Sequence, residues 1–154
     1  MAYTAPVDDI MLALKVAADL DGHLSRGLYD GLDAETIKAV IEEAGKFGAD
    51  VLAPLNAPGD KAGSKLVDGK VVTPPGWKEA YKAFADGGWI SLPGDEEWGG
   101  QGLPEIVAMA TCEIWNASNL AFGLCPMLSQ GAVDAVLSHG TDYLKKTYVP
   151  KLVS

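Results

Sequence analysis

Cysteine and histidine are scarce, two of each in 154 residues. Cys112 and Cys125 are too few for a disulfide framework or a thiolate zinc site. His23 and His139 stand in no HExxH motif and no cluster, so no protein-built metal site is expected. Basic residues are few as well. Twelve Lys and Arg against twenty-one Asp and Glu leave a net charge of −9, a surface that repels phosphate backbones and argues against nucleic-acid binding by charge. The run from Met1 to Asp9 carries two acids and no basic cluster ahead of the first apolar segment, unlike a secretory leader or an Arg-rich transit peptide. A charge-free stretch, Ile114 to Val133, reaches the roughly 20 residues of a membrane span. Asn116, Ser118, Asn119, Pro126, Ser129 and Gln130 within it would be costly in lipid. It reads as the buried interior of a cytoplasmic protein with no membrane span.

What is present is the composition of a globular domain: 48% hydrophobic and 21% charged residues, in a length suited to one core. Helical periodicity dominates. Asp8 and Asp9 open an amphipathic segment to about Leu20, with Ile10, Leu14 and Ala17/Ala18 on one face, and a glycine-bearing stretch from Asp21 to Leu32 interrupts it. Asp33 is an N-cap for a helix from Ala34 to about Leu55. Ile37, Val40, Ile41, Ala44, Phe47, Val51, Leu52 and Leu55 form its buried stripe, and Glu42, Glu43, Lys46 and Asp50 fall on the solvated side. Asn56 to Pro75 reads as the longest irregular region. It encloses a hairpin over Lys65–Val72, because Asp68-Gly69 suits a two-residue turn with positive φ; so short a hairpin must lean on the helices. Pro75 begins a third helix, with Trp77, Tyr81 and Phe84 on one face, stopped by Gly87-Gly88. Pro104 starts a fourth, to about Asn116. A fifth runs from Ser118 or Asn119 to Ser138, bent or broken at Pro126. Thr141-Asp142 caps a last helix through Tyr148 that Pro150 terminates. The fold class is therefore mainly α, a bundle of about six helices with one small β-hairpin, in a single domain over residues 1–154. The end at Lys151-Leu-Val-Ser154 is compatible with a cut at a domain boundary.

Few residues offer chemistry. A histidine at a helix end serves most often as a surface residue or a partner for the helix carboxyl terminus, and Cys112 and Cys125, in apolar helical context, read as inert core. Adjacent acids at Glu42-Glu43 and Asp95-Glu96-Glu97 read as hydrated rather than catalytic. The segment Gly88 to Pro104 concentrates glycine, two tryptophans and two prolines, yet fails as a dinucleotide fingerprint. Gly100-Gln-Gly102 gives half of GxGxxG, and Glu105 replaces the last glycine. Gly99, Gly100 and Gly102 read instead as a structural turn that positions the next helix, with Trp98 plugging the joint.

Gly88-Trp89-Ile90, Pro93, Trp98-Gly99-Gly100-Gln101-Gly102 and Pro104 resemble the N-terminal pattern of the acyl-CoA dehydrogenase family. Leu120-Ala-Phe-Gly123, His139-Gly-Thr-Asp142, Leu144-Lys-Lys and Tyr148-Val-Pro-Lys-Leu152 follow in the expected order at about the expected spacing. Pro6-Val-Asp-Asp9, Pro54-Leu-Asn56, Phe84-Ala-Asp-Gly-Gly-Trp89 and Leu128-Ser-Gln-Gly-Ala132 look most like a long bacterial subgroup of that family. The resemblance covers nearly the whole chain. It implies the first of three domains of an FAD-dependent enzyme of fatty acid metabolism, a homo-oligomer that dehydrogenates an acyl-CoA thioester and passes electrons to electron-transfer flavoprotein. A glutamate of the C-terminal part would remove the α-proton, and the flavin-contacting Thr-Glu-x-x-Ala-Gly-Ser-Asp motif is absent here. By resemblance, then, no catalytic residue and no bound FAD are expected in this chain alone, which would be inactive and prone to self-association. The segment implied to line the acyl pocket is Leu124, Cys125, Pro126, Met127, Leu128, Ser129 and Gln130. Packing between helices is the competing role for Leu124, Met127 and Leu128. Two other readings stay open: a free-standing helical binding module, and part of an acyl-CoA oxidase-like or nitroalkane-oxidising flavoprotein.

Overall fold

The computed structural model describes residues 3–29 and 31–154. Met1 and Ala2 of the N-terminal run, and Asp30 of the interrupting stretch, lie outside the described residues. Helix α1 (Val7–Val16) buries Ile10, Met11 and Leu14 and ends before Ala17, which is exposed. The stretch read as an interruption contains a short helix, α2 (Leu20–Ser25). It forms because Leu20 is fully buried and anchors the turn in the core, a tertiary contact that overrides the weak propensity of Asp-Gly-His.

Helix α3 (Ala34–Phe47) starts at Asp33, whose carboxylate accepts the Thr36 N–H at 2.7 Å. That bond holds its carboxyl below the ordinary range. A π-helical turn (Gly48–Leu52) carries the rod into α4 (Ala53–Ala62). The rod thus passes Leu55 and makes helix of Asn56 to Ala62, which the sequence presents as irregular. Pro54 stands in the first turn of α4, where no donor is required of it, and Pro58 is carried at the loss of one bond. The expected stripe holds. Ile37, Ile41, Ala44 and Leu52 are buried, and Val40, Phe47, Val51 and Leu55 pack around them.

Strands β1 (Lys65–Val67) and β2 (Lys70–Val72) pair antiparallel with Lys65 opposite Val72 and Val67 opposite Lys70. Asp68 and Gly69 have φ of 49° and 74°, the geometry of a tight hairpin turn. All six strand residues are exposed, so the hairpin does not lean on the helices as expected. Helix α5 (Trp77–Asp86) begins two residues after Pro75 and stops at Gly87. Its Trp77, Tyr81 and Phe84 rings all meet Phe122, at 6.3, 6.1 and 5.4 Å.

The longest element, α6 (Glu105–His139), is helical throughout except at Asn119 (φ −159°, ψ 88°). There it divides into two arms, 105–118 and 120–139, close to the two helices read from the sequence. Asn119 is fully buried; its amide donates to the Leu52 carbonyl at 3.2 Å, and its side-chain oxygen accepts from the Phe122 N–H at 3.2 Å. It caps the second arm while fastening the bend to the end of the π turn. Pro126 is contained within that arm without a non-helical dihedral. The break falls where a side chain can satisfy the freed backbone, not where a donor is missing. By length and composition α6 could cross a bilayer, yet its first arm runs through the core. The expectation of a buried Ile114–Val133 is half met: Ile114, Trp115, Phe122 and Val133 are buried, whereas Leu120, Leu124 and Leu128 are exposed. Helix α7 (Asp142–Leu152) is capped by Thr141 and continues through Pro150 instead of ending at it. The lost bond would have gone to the carbonyl of Lys146, an exposed residue that water can serve.

Candidate functional site

The two arms of α6 and the turn after α5 enclose a cleft of about 300 Å³. Its first wall comes from the arm before the bend: Glu105, Met109, Thr111, Cys112 and Trp115. The second wall is one face of the arm after it, with Gly123, Met127, Gln130, Gly131 and Asp134 at steps of three and four. Trp89, Ile90, Leu92 and Pro93 close the third side. Phe84 and Trp115, at 1% and 5% exposure, lie at the deep end, and Glu105, Met109, Met127 and Asp134 are exposed along the rim.

Small residues set the shape. A side chain at Gly123 would collide with the Asn116 amide oxygen, so glycine lets the arms converge near the bend. Asn116 in turn donates to the Cys112 sulfur at 3.3 Å. The third wall is held by the glycine turn read from the sequence. Gly99 and Gly102 adopt φ of 92° and 64°, and any Cβ at Gly100 would run into the Gly94 backbone. Close approach permits a ladder of main-chain bonds, Gln101 N–H to the Ser91 carbonyl (2.9 Å), Gly102 to Gly94 (2.8 Å) and Leu103 to Leu92 (2.9 Å). The Gln101 side chain adds a bond to the Gly88 carbonyl at 2.7 Å. Trp98 packs beside Val133, Val149 and Val153, in the joint where it was expected.

Of the acyl-pocket residues expected from the sequence, Met127 and Gln130, with Pro126, line this cleft. Leu124 and Leu128 do not; at 48% and 71% exposure they project from another face of the helix. Ser129 and Cys125 neighbour Tyr81, whose hydroxyl titrates above its ordinary value through burial first and the Cys125 thiol second. Cys125 is exposed and Cys112 half-buried at the cleft wall, so neither is core as expected. His23 meets the Tyr29 hydroxyl at 3.1 Å, His139 is exposed, and Asp95 caps its own short turn by accepting from Glu97 N–H at 2.9 Å. Thr111, Trp115 and Trp89 were missed as cleft residues. Trp89 stands in the quoted Gly-aromatic motif, but only the bend at Asn119 turns the first arm's Thr111 and Trp115 toward the second.

Chemically, the cleft suits an apolar chain end. It does not fit a dinucleotide: a pyrophosphate needs cations or open N–H groups, and among the described residues the charged lining is Glu105 and Asp134 alone.

Residues 34–154 match the family described as the acyl-CoA dehydrogenase N-terminal domain. The chain is also similar to the 3-methylmercaptopropionyl-CoA dehydrogenase of Ruegeria pomeroyi, with 41% identity over all 154 residues. It spans 26% of that relative's length. An observed helical fold, a glycine turn at the place the family pattern requires and a matched stretch running from α3 to the end of α7 lead to one assignment: the chain belongs to the acyl-CoA dehydrogenase family and carries its N-terminal domain.

Proposed function

We propose that this domain supplies one wall of the acyl pocket in an FAD-dependent dehydrogenase that oxidises an acyl-CoA thioester, with FAD and the proton-abstracting group held by other parts of the protein. The observation that carries the reading is the apolar cleft between the arms of α6, with Trp115 and Phe84 at its deep end and Met127 on its wall. Only the acyl end of a CoA thioester suits it, because the acidic rim disfavours phosphates. The whole enzyme would be a cytoplasmic homo-oligomer of fatty acid metabolism that delivers electrons to electron-transfer flavoprotein. The exposed Leu120, Leu124 and Leu128 would be covered in that assembly and would promote self-association without it.

The test uses S-butyryl pantetheine, a thioester free of phosphates, titrated into the purified chain. Trp89 and Trp115 both border the cleft, so their fluorescence should change saturably, and Met127→Asp should abolish the response. An unchanged spectrum would overturn the pocket assignment. The same preparation should be colourless and without dehydrogenase turnover; a yellow, oxidised-flavin spectrum would contradict the placement of FAD elsewhere.

A further inference from the structure

The polar groups around the cleft share one character, which is that most of them accept. Among the described residues, Glu105 and Asp134 are the only charged ones that line it. The Thr111 hydroxyl already donates to the Ala108 carbonyl at 2.9 Å. Gln130 directs its side-chain amide at Asp134, 3.2 Å away, which engages one of its two hydrogens. Cys112 receives the Asn116 amide. The positive end of α6 lies at Glu105, and it offsets roughly half a charge there, leaving the rim negative. From this we infer that Glu105 and Asp134 are specificity-determining residues. They select chain ends that are uncharged, hydroxylated or cationic and reject chain ends that carry a carboxylate. The inference rests on the pocket reading above and adds to it a rule about charge.

Both carboxylates are exposed, so their repulsion is moderate and sensitive to salt. Three six-carbon compounds isolate it, since hexan-1-ol, hexylammonium and hexanoate have the same tail and differ in head charge. Each is titrated into the isotope-labelled chain at low ionic strength, following the amide signals of Met127, Gln130 and Trp115. Hexan-1-ol and hexylammonium should bind, and hexanoate should bind about fivefold more weakly than the alcohol. The paired substitution Glu105→Gln with Asp134→Asn, which keeps side-chain size and the acceptor for Gln130, should bring hexanoate level with the alcohol. Raised salt should narrow the gap in the unaltered chain. Equal binding of hexanoate and hexan-1-ol, or an order unchanged by the paired substitution, overturns the charge rule and leaves the pocket standing. Failure of all three compounds to bind overturns the pocket itself, and the rule with it.

Discussion

Two apolar clusters hold this domain, and they differ in size and in consequence. The larger joins α1, α2, α3, the π turn, α5, the turn after it and α6 as far as Phe122, through sixteen buried residues among those described. Its centre is an aromatic group in which Phe84 meets Trp115 at 5.3 Å and Phe122 at 5.4 Å, and Trp89 meets Trp115 at 5.2 Å. The smaller joins the end of α6 to α7 and the glycine turn through three valines, Val133, Val149 and Val153, with Trp98 beside them. Close-packed aromatics make the first cluster a cooperative unit. The second holds its elements by little buried area, so it can open before the rest. The deep end of the cleft, at Phe84 and Trp115, belongs to the larger cluster, while the second arm that forms one of its walls carries Val133 of the smaller one.

The comparison can be broken most severely from within the large cluster. Phe84→Ala should cost about 3–5 kcal/mol and Ile41→Ala about 2–5 kcal/mol, both read as a lower urea midpoint with loss of the whole fold. A midpoint unchanged for Ile41→Ala would mean the buried face of α3 is misassigned. At the bend, Asn119→Ala removes the bond to the Leu52 carbonyl and leaves the Phe122 N–H without its cap. About 1–3 kcal/mol is expected for the buried donor left so, together with faster hydrogen exchange at Phe122. In the small cluster Val149→Ala removes two buried methyl groups, worth about 1.5 kcal/mol. There the sharper readout is local: amide exchange across 142–152 should accelerate while Trp115 fluorescence stays constant. If both clusters loosen together, they are one unit after all.

The smallest effect is one of pH. Tyr81 and Tyr3 titrate above tyrosine's ordinary value of 10.0, each chiefly through burial. The folded chain holds these protons more tightly than the unfolded one. Their contribution is therefore complete below pH 10.0 and is lost as pH rises through the raised folded values. Stability should decline on that alkaline side, and Tyr81→Phe should shallow the decline. An identical slope in the variant would show that Tyr81 has no part in it.

Much of the helical layout was legible because apolar spacing and capping are local. Asp33, Thr141 and the stripe from Ile37 to Leu55 were read from neighbours three and four residues apart, and the structure keeps them. Prolines misled the reading. Pro58, Pro126 and Pro150 each stand inside a helix, because surrounding turns outweigh one missing donor. The site was less legible. The family resemblance grouped Leu124 to Gln130 along the chain, but a helix distributes consecutive residues around its axis. Met127 and Gln130 turn to the cleft while Leu128, about 100° away, turns to solvent.

By itself the sequence determined the helical segments other than α2 and the 56–62 end of α4, where the hairpin turns, and that a glycine-rich turn precedes the long helix, since backbone preference and periodicity act over a few residues. Only tertiary structure decided that α6 bends at Asn119 and that its two arms face each other across a pocket. The reason is physical: the bend is stabilised by a bond from Asn119 to the Leu52 carbonyl, 67 residues away in the chain, and no local pattern encodes a partner at that distance.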